Sequence, residues 1–214
     1  APNLIFGAVR LLLDNGHSPS LLARYPQSFD DDWSTEAFGE FVLANRDEII
    51  PIISSRKVQS NVVRRSAVLL PGLIESSRSF GGKPFVNVEI GASAGLTLLW
   101  NQYRYRYHSG AGDIELGSPA FPWAVEVETE GNIAQVLDHG FPEIAANVGI
   151  EIDRVDINDQ DAIGWLRALI WPEHGDNRGL FDAAVKLVGS NPLDVRFGDA
   201  LELLPDLFVE LPDR

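Results

Sequence analysis

Phe85 to Ile90, FVNVEI, is a short run of apolar and β-branched residues that ends against a glycine-rich turn, Gly91-Ala92-Ser93-Ala94-Gly95. A run of that length and texture reads as a strand buried on both faces. Leu96 to Gln102, beyond the turn, reads as helix. Strand, sharp turn and helix in that order open a strand–helix unit, which requires a sheet with covered faces. Two motifs share the turn. Gly91-x-Ser93-x-Gly95 fits G-x-S-x-G, where a serine on a strained turn is the nucleophile of a hydrolase. Glu89-x-Gly91-x-Ser93-x-Gly95 nearly fits an acid followed by a loop whose small residues let a nucleotide-like cofactor approach, with Ser93 in place of the middle glycine.

The same texture recurs downstream. Ile150–Ile157 is expected as a strand. Asp159–Trp171 is expected as an amphipathic helix, with Asp159 or Asp161 near its start and Pro172 past its end. Leu180–Val188 reads as a helix closed by Gly189, Leu193–Phe197 as a strand, and Ala200 to about Leu207 as the helix after Gly198-Asp199. Tyr103–His108 alternates and predicts a strand with Tyr103, Tyr105 and Tyr107 on one face, either flooring a pocket or packed on a helix. Gly110–Trp123 reads as loop or hairpin, and Ile133–Val148 as helix interrupted by Pro142.

Residues 1–80 carry helical periodicity instead. One helix runs from Pro2 to the stop at Asn15-Gly16. A second is capped by Ser34, with Glu36 in its first turn and Pro51 near its end. A third runs from Val58 to about Ser77 and is kinked or ended by Pro71. The expected fold is therefore α/β: a Rossmann-like, mainly parallel sheet over 84–214, preceded by a helical N-terminal cap over 1–80. Ser76–Pro84 forms the boundary. No strand is expected before residue 84. A chain of 214 residues without one methionine reads as a fragment, or as a sequence from which modified methionines are missing.

Charge narrows the partners. A net charge of −14 opposes nucleic acid as a main partner. The basic residues Arg56, Lys57, Arg64 and Arg65 read as a solvated helix face. The absence of cysteine excludes disulfides, thiol nucleophiles and thiolate metal sites. No pair among His17, His108, His139 and His174 has helical metal-site spacing, so no metal is expected. No apolar run approaches membrane-spanning length, and a cytoplasmic location is expected. Oligomeric state is not legible.

Both readings of the turn need partners elsewhere. A hydrolase needs an oxyanion loop upstream and an acid and a histidine downstream; His174 is the available histidine, and no HGG-like segment precedes Ser93. A dinucleotide fingerprint would read Gly91, Ser93, Leu96 and fits badly. For the cofactor loop, Gly91 permits the turn, Ala92, Ser93 and Ala94 permit close approach, and the helix start at Gly95–Leu96 offers N–H groups. An acid at the end of the second strand would hold ribose hydroxyls. Asp156 and Glu151 are the candidates, with Asp153 behind them and Asp113 as an outsider. Asp199 and Ala200 open the last helix, where Asp199 can also be an N-cap.

Val195–Leu207, VRFGDALELLPDL, resembles the third motif of S-adenosylmethionine-dependent methyltransferases, and that resemblance gives Asp199 the adenine amine. At greater length, VEIGASAGLTLLWNQYRYRY, GIEIDRVDIND, WLRALIWPEH and VRFGDALELLPDL resemble, in order, a bacterial family of uncharacterised proteins. QSNVVRRSAVLLPGL upstream is similar to that family's Q-T-N-E-V-G-R segment. The family's Glu and Gly there are Val62 and Arg64 in this chain, and its Asp and Pro near the second strand are Glu151 and Arg154. The resemblance implies a Rossmann-like, methyltransferase-like domain behind the helical N-terminal region and supplies no reaction; the expectation read together with the third motif is S-adenosylmethionine binding and methyl transfer to a small-molecule acceptor. It places Glu89, Gly91, Ser93 and Gly95 in the cofactor loop, Asp156 at the ribose and Asp199 at the adenine, with Asn61 and Arg65 facing the acceptor. Trp165 and Trp171, in the WLRALIWPEH segment, read as core. Two alternatives remain: a serine hydrolase using Ser93, and a non-catalytic binding module with a degenerate loop.

Overall fold

In the computed structural model the described residues are 2–25, 35–59, 61–153, 155–171 and 175–211, so Ser34, Arg154, Pro172, Glu173 and His174 lie outside them. The chain divides into two compact units, Ala1–Ser60 with Asp156–Gly179, and Asn61–Val155 with Leu180–Arg214. Sequence texture drew its boundary at Ser76–Pro84; the units exchange the chain at 60/61, 155/156 and 179/180.

The first unit is helical. Helix α1, Pro2–Asp14, buries Ala8, Val9, Leu12 and Leu13. Gly16 closes it at φ 89°, where Gly16 N–H reaches Leu13 O and His17 N–H reaches Leu12 O, the paired bonds of a Schellman cap. Helices α2 (Pro19–Ala23), α3 (Thr35–Ala44) and α4 (Arg46–Ser55) follow. The single helix expected over this stretch is thus two, broken at Asn45, and Pro51 lies inside α4 rather than near the end of a longer helix. Phe41, Ile49 and Trp165 join α1 in one apolar core. Trp165 is buried and its Nε1–H donates to Lys57 O at 2.9 Å, whereas Trp171 is 40% exposed, so only the first is core.

The second unit holds both sheets. Helix α5 spans Arg65–Ser79, starting seven residues later than periodicity suggested, with Pro71 inside it. Strand β1, Phe85–Ile90, matches expectation. Leu96–Gln102 is a 3₁₀ helix rather than an α-helix. Strand β2 (Arg104–Ser109) pairs antiparallel with β3 (Gly112–Gly117) and parallel with β4 (Ala124–Glu128), which the sequence did not signal. Tyr103, Tyr105 and Tyr107 are buried, and their hydroxyls donate to Leu96 O, Trp100 O and Ala67 O. They therefore clamp β2 to its neighbours instead of flooring a pocket.

Ile133–Val148 is not one helix. It contains the short α6, Ala134–Leu137, and most of β5, Ile144–Glu151, the central strand of the other sheet. The misreading has a physical cause. Ala145, Ala146, Asn147 and Gly149 are small or polar, and a Cβ on Gly149 would stand 2.8 Å from Ala92 Cβ and 3.0 Å from Leu98. Close packing against the glycine loop thus removes the β-branched signature from the strand that needs it most. The strand expected at Ile150–Ile157 accordingly ends at Glu151.

Helices α7 (Gln160–Ala168) and α8 (Gly175–Ser190) lead to β6 (Asp194–Phe197) and α9 (Ala200–Glu210). Gly189 falls inside α8 and does not close it. The order β1-β5-β6 is parallel throughout. Val86, Val88, Ala146, Val148 and Ile150 face Leu203, Leu204 and Leu207 of α9, while the alternate residues of β1, Asn87 and Glu89, point to the opposite face. The chain is thus a mixed α/β protein with small sheets, one of them parallel.

Candidate functional site

The carboxyl ends of β1, β5 and β6 converge on the glycine turn. Open parallel sheets present their loops and unpaired helix starts at this edge, where ligands bind. After Ile90 the chain turns across β5: Gly91 and Ala92 N–H both donate to Ile150 O, at 2.8 and 3.2 Å. Gly91 sits at φ 81° and Gly95 at φ 73°, conformations that a Cβ would strain. Space around Gly91 is open, with nothing within 4 Å of a built Cβ, so its missing side chain leaves room beside the backbone. Ser93 takes φ 51°, alone among the described non-glycine residues in the left-handed region, and is buried.

Ser93 is held from two sides. Its N–H donates to Glu151 Oε2 at 2.7 Å, and its Oγ accepts from Asn61 Nδ2 at 2.5 Å. Glu151 also accepts from Ile152 and Asp153 N–H through Oε1, at 2.8 and 3.1 Å. Three amide donors on one carboxylate, with further lone pairs unspent, make it the acid that organises this edge. Gly198 N–H bonds Glu151 O at 3.0 Å and brings the end of β6 alongside. Asp199 follows, caps α9 through Leu201 N–H at 2.8 Å and stays exposed; Ala200 is the first residue of that helix.

Glu89 lies under the turn. Thr97 Oγ1 donates to its Oε1 at 2.5 Å. Burial raises the Glu89 carboxyl above its ordinary range, opposed by the Thr97 hydrogen bond and by the positive charge of Arg65. Asn61 and Arg65, expected from a separate upstream motif, are therefore brought to the loop, one by contact and one by charge. Thr97 was missed, although its place one turn past the loop is where a helix looks back onto its strand.

Asp156 belongs to the other compact unit, and its Oδ1 accepts from Asn158 N–H at 2.9 Å in a local turn. The strand-end position it was assigned is occupied by Glu151, because β5 ends five residues before Asp156. Asp113 pairs with His108 Nδ1 at 2.9 Å on the second sheet. Three apolar side chains escaped sequence reading altogether: Ile90, Ile152 and Phe197 stand 63%, 72% and 43% exposed at the ends of the three strands.

For the hydrolase reading, Ser93 has a left-handed backbone, but its Oγ receives a proton donor. Among the described residues no histidine bonds it; His17 and His108 pair with Glu48 and Asp113. His174 lies outside the described residues. The supposed basic face also disperses: Arg56 pairs with Asp161, and Arg64 donates to Glu126 O at 2.7 Å. Among the described residues no cluster of His, Asp and Glu could hold a metal ion, and no helix is long and apolar enough to cross a membrane.

A family described as uncharacterized protein conserved in bacteria (DUF2332) matches residues 1–214. The chain belongs to this family. No curated protein and no solved structure matches the chain. Membership in DUF2332 carries no reaction, so the chemistry must be argued from the edge of the parallel sheet.

Proposed function

We propose that this chain is a Rossmann-like S-adenosylmethionine-binding protein that transfers the methyl group to a small-molecule acceptor. The observation that supports it is the convergence at one sheet edge of the glycine turn after β1, Glu151 at the end of β5 and Asp199 after β6. The residues fit such a group. Gly91 leaves open space beside the backbone, the two acids suit ribose hydroxyls and an adenine amine, and exposed Ile152 and Phe197 offer apolar surface for a purine. When bound, the sulfonium supplies an electrophilic methyl group.

The protein's own residues would then bind and orient. Glu151 takes the ribose role in place of Asp156, while its remaining bonds hold Ser93. Asp199 takes the adenine amine while capping α9. Asn61, bonded to Ser93 Oγ, and Arg65, whose charge reaches Glu89, would face the acceptor. Effective methyl transfer needs an in-line approach with water kept out, which is positioning work rather than covalent chemistry by the protein. A cytoplasmic setting belongs to the same reading.

Calorimetric titration with S-adenosylhomocysteine tests it. Binding near micromolar, about −8 kcal/mol, weakened in Asp199→Ala, is the expected result. No heat at millimolar ligand would remove the reading. Covalent labelling of Ser93 by a fluorophosphonate would replace it with the hydrolase.

A further inference from the structure

A cavity lies at the far end of the parallel sheet from the glycine turn. β1 begins at Phe85 and β5 at Ile144, and Phe85 N–H donates to Glu143 O at 3.1 Å. The turn Gly81–Pro84 and the loop His139–Glu143 therefore enter the sheet side by side. Between them and the last turns of α5 is a space of about 470 Å³, of the size that takes a small organic molecule. Its walls are fixed by packing. Ile74 of α5 is buried, and Phe141 is held by ring contacts with Trp100 at 5.9 Å and Tyr105 at 6.0 Å. A Cβ at Gly81, Gly82 or Gly140 would meet nothing within 4 Å, so backbone alone bounds the space on those sides.

Charge selects the occupant. Arg78 lines the cavity but is committed to Glu75, which its Nε and Nη2 bond at 2.9 and 2.5 Å. Glu143 lines it too, is exposed, and its carboxylate has no hydrogen bond or ion pair among the described residues. Lys83 and Asp138 each adjoin a lining residue in sequence, lie outside the lining and carry opposite charges. α5 ends here, with the partial negative charge of a helix C-terminus. His139 adds an imidazole, whose neutral form offers a lone pair. An uncompensated acid, an aromatic wall and a chain of net charge −14 all favour a cation over an anion.

We propose that this cavity binds a small organic ammonium, with Glu143 taking its charge and Phe141 its apolar part. The site stands apart from the cofactor reading, because it shares no residue with the glycine turn or the strand ends beyond it. An ammonium bonded to a carboxylate is charge-assisted and so is held more strongly than a neutral donor. An alcohol of the same shape loses that ion pair, and a carboxylate of the same shape meets Glu143 as a like charge.

The test uses three probes of one shape: benzylamine, benzyl alcohol and benzoate. Each is titrated into the isotope-labelled chain at neutral pH and constant ionic strength, and the amide resonances of Gly81, Gly82 and Gly140 are followed by NMR. The titrations are repeated on Glu143→Gln and Asp138→Asn. The Glu143 side chain is exposed and the bond to Phe85 comes from its backbone, so Glu143→Gln leaves the fold in place. Asp138→Asn controls for a general attraction of cations to an acidic surface.

Benzylamine is expected to shift these amides saturably and to bind at least about tenfold more tightly than benzyl alcohol, the worth of a hydrogen bond to a charged group. Benzoate should bind no better than the alcohol. Glu143→Gln should remove the advantage of benzylamine, and Asp138→Asn should keep it within about twofold, as for an exposed charge without a contact. Benzoate bound more tightly than benzylamine, an advantage that survives Glu143→Gln or falls equally in both variants, or no saturable shift at these glycines would overturn the proposal.

Discussion

Glu89 is a carboxylate where charge is costly. Burial holds its carboxyl above the ordinary range against the pull of Thr97 and Arg65. The folded state therefore favours the protonated form. That contribution to stability is complete below the unfolded pKa and is lost as pH rises through the raised folded value. Glu89→Gln keeps an oxygen for Thr97 and has no charge to bury. Its melting temperature relative to wild type should rise from acid to neutral pH, and a difference flat across that range would mean that Glu89 is not desolvated. Gly91 makes the complementary case. Gly91→Ala must hold φ 81°, at about 1–2 kcal/mol for an L residue, and its methyl enters open space rather than a neighbour. The variant should stay folded in denaturant titration while S-adenosylhomocysteine affinity falls by more than about tenfold, about 1.4 kcal/mol. Unchanged binding would mean that the open space is not the ligand's.

At the scale of elements, the proline inside α5 shows why helix and strand must be read together. Pro71 has no N–H, so Ala67 O loses the donor that an α-helix would provide four residues on. Tyr107 from β2 supplies it at 2.7 Å, at a buried position. Tyr107→Phe should cost about 1–3 kcal/mol by orphaning that carbonyl. In a Pro71→Ala background the restored backbone N–H at position 71 can donate to Ala67 O, and the same change should cost about 1 kcal/mol less. Strict additivity in chemical denaturation would dismiss the substitution of one donor for the other. The sequence could not show this, because α5 and β2 are linked only by folding. What was legible follows the same logic. β1, β6, the glycine turn and the Asp199 cap are local patterns and were read correctly. β5 was read as helix because its small side chains answer to Ala92 and Leu98 across the layer, and β4 was missed because its pairing with β2 is distant in sequence.

The division of the whole molecule puts the two acids that the sequence offered for one role into different units. Glu89, the loop, Glu151, Asp199, Asn61 and Arg65 all lie in the unit Asn61–Val155 with Leu180–Arg214. Asp156 is the first residue of the returning segment of the other unit and spends an oxygen on Asn158. Sequence pattern placed it at a strand end by carrying the strand on to Ile157, six residues past the end of β5, an error that side-chain type alone could not correct. If the ligand is held at the sheet edge, Asp156→Ala should bind S-adenosylhomocysteine within about twofold of wild type, under about 0.5 kcal/mol. Glu151→Gln keeps the size and one carbonyl oxygen of the side chain but loses the charge that gathers the Ser93, Ile152 and Asp153 amides. It should lose about tenfold or more, the range of a charge-assisted bond. The reverse ranking in calorimetry, with Asp156 essential and Glu151 dispensable, would move the ribose site off the parallel sheet and leave the three strand ends without a shared ligand.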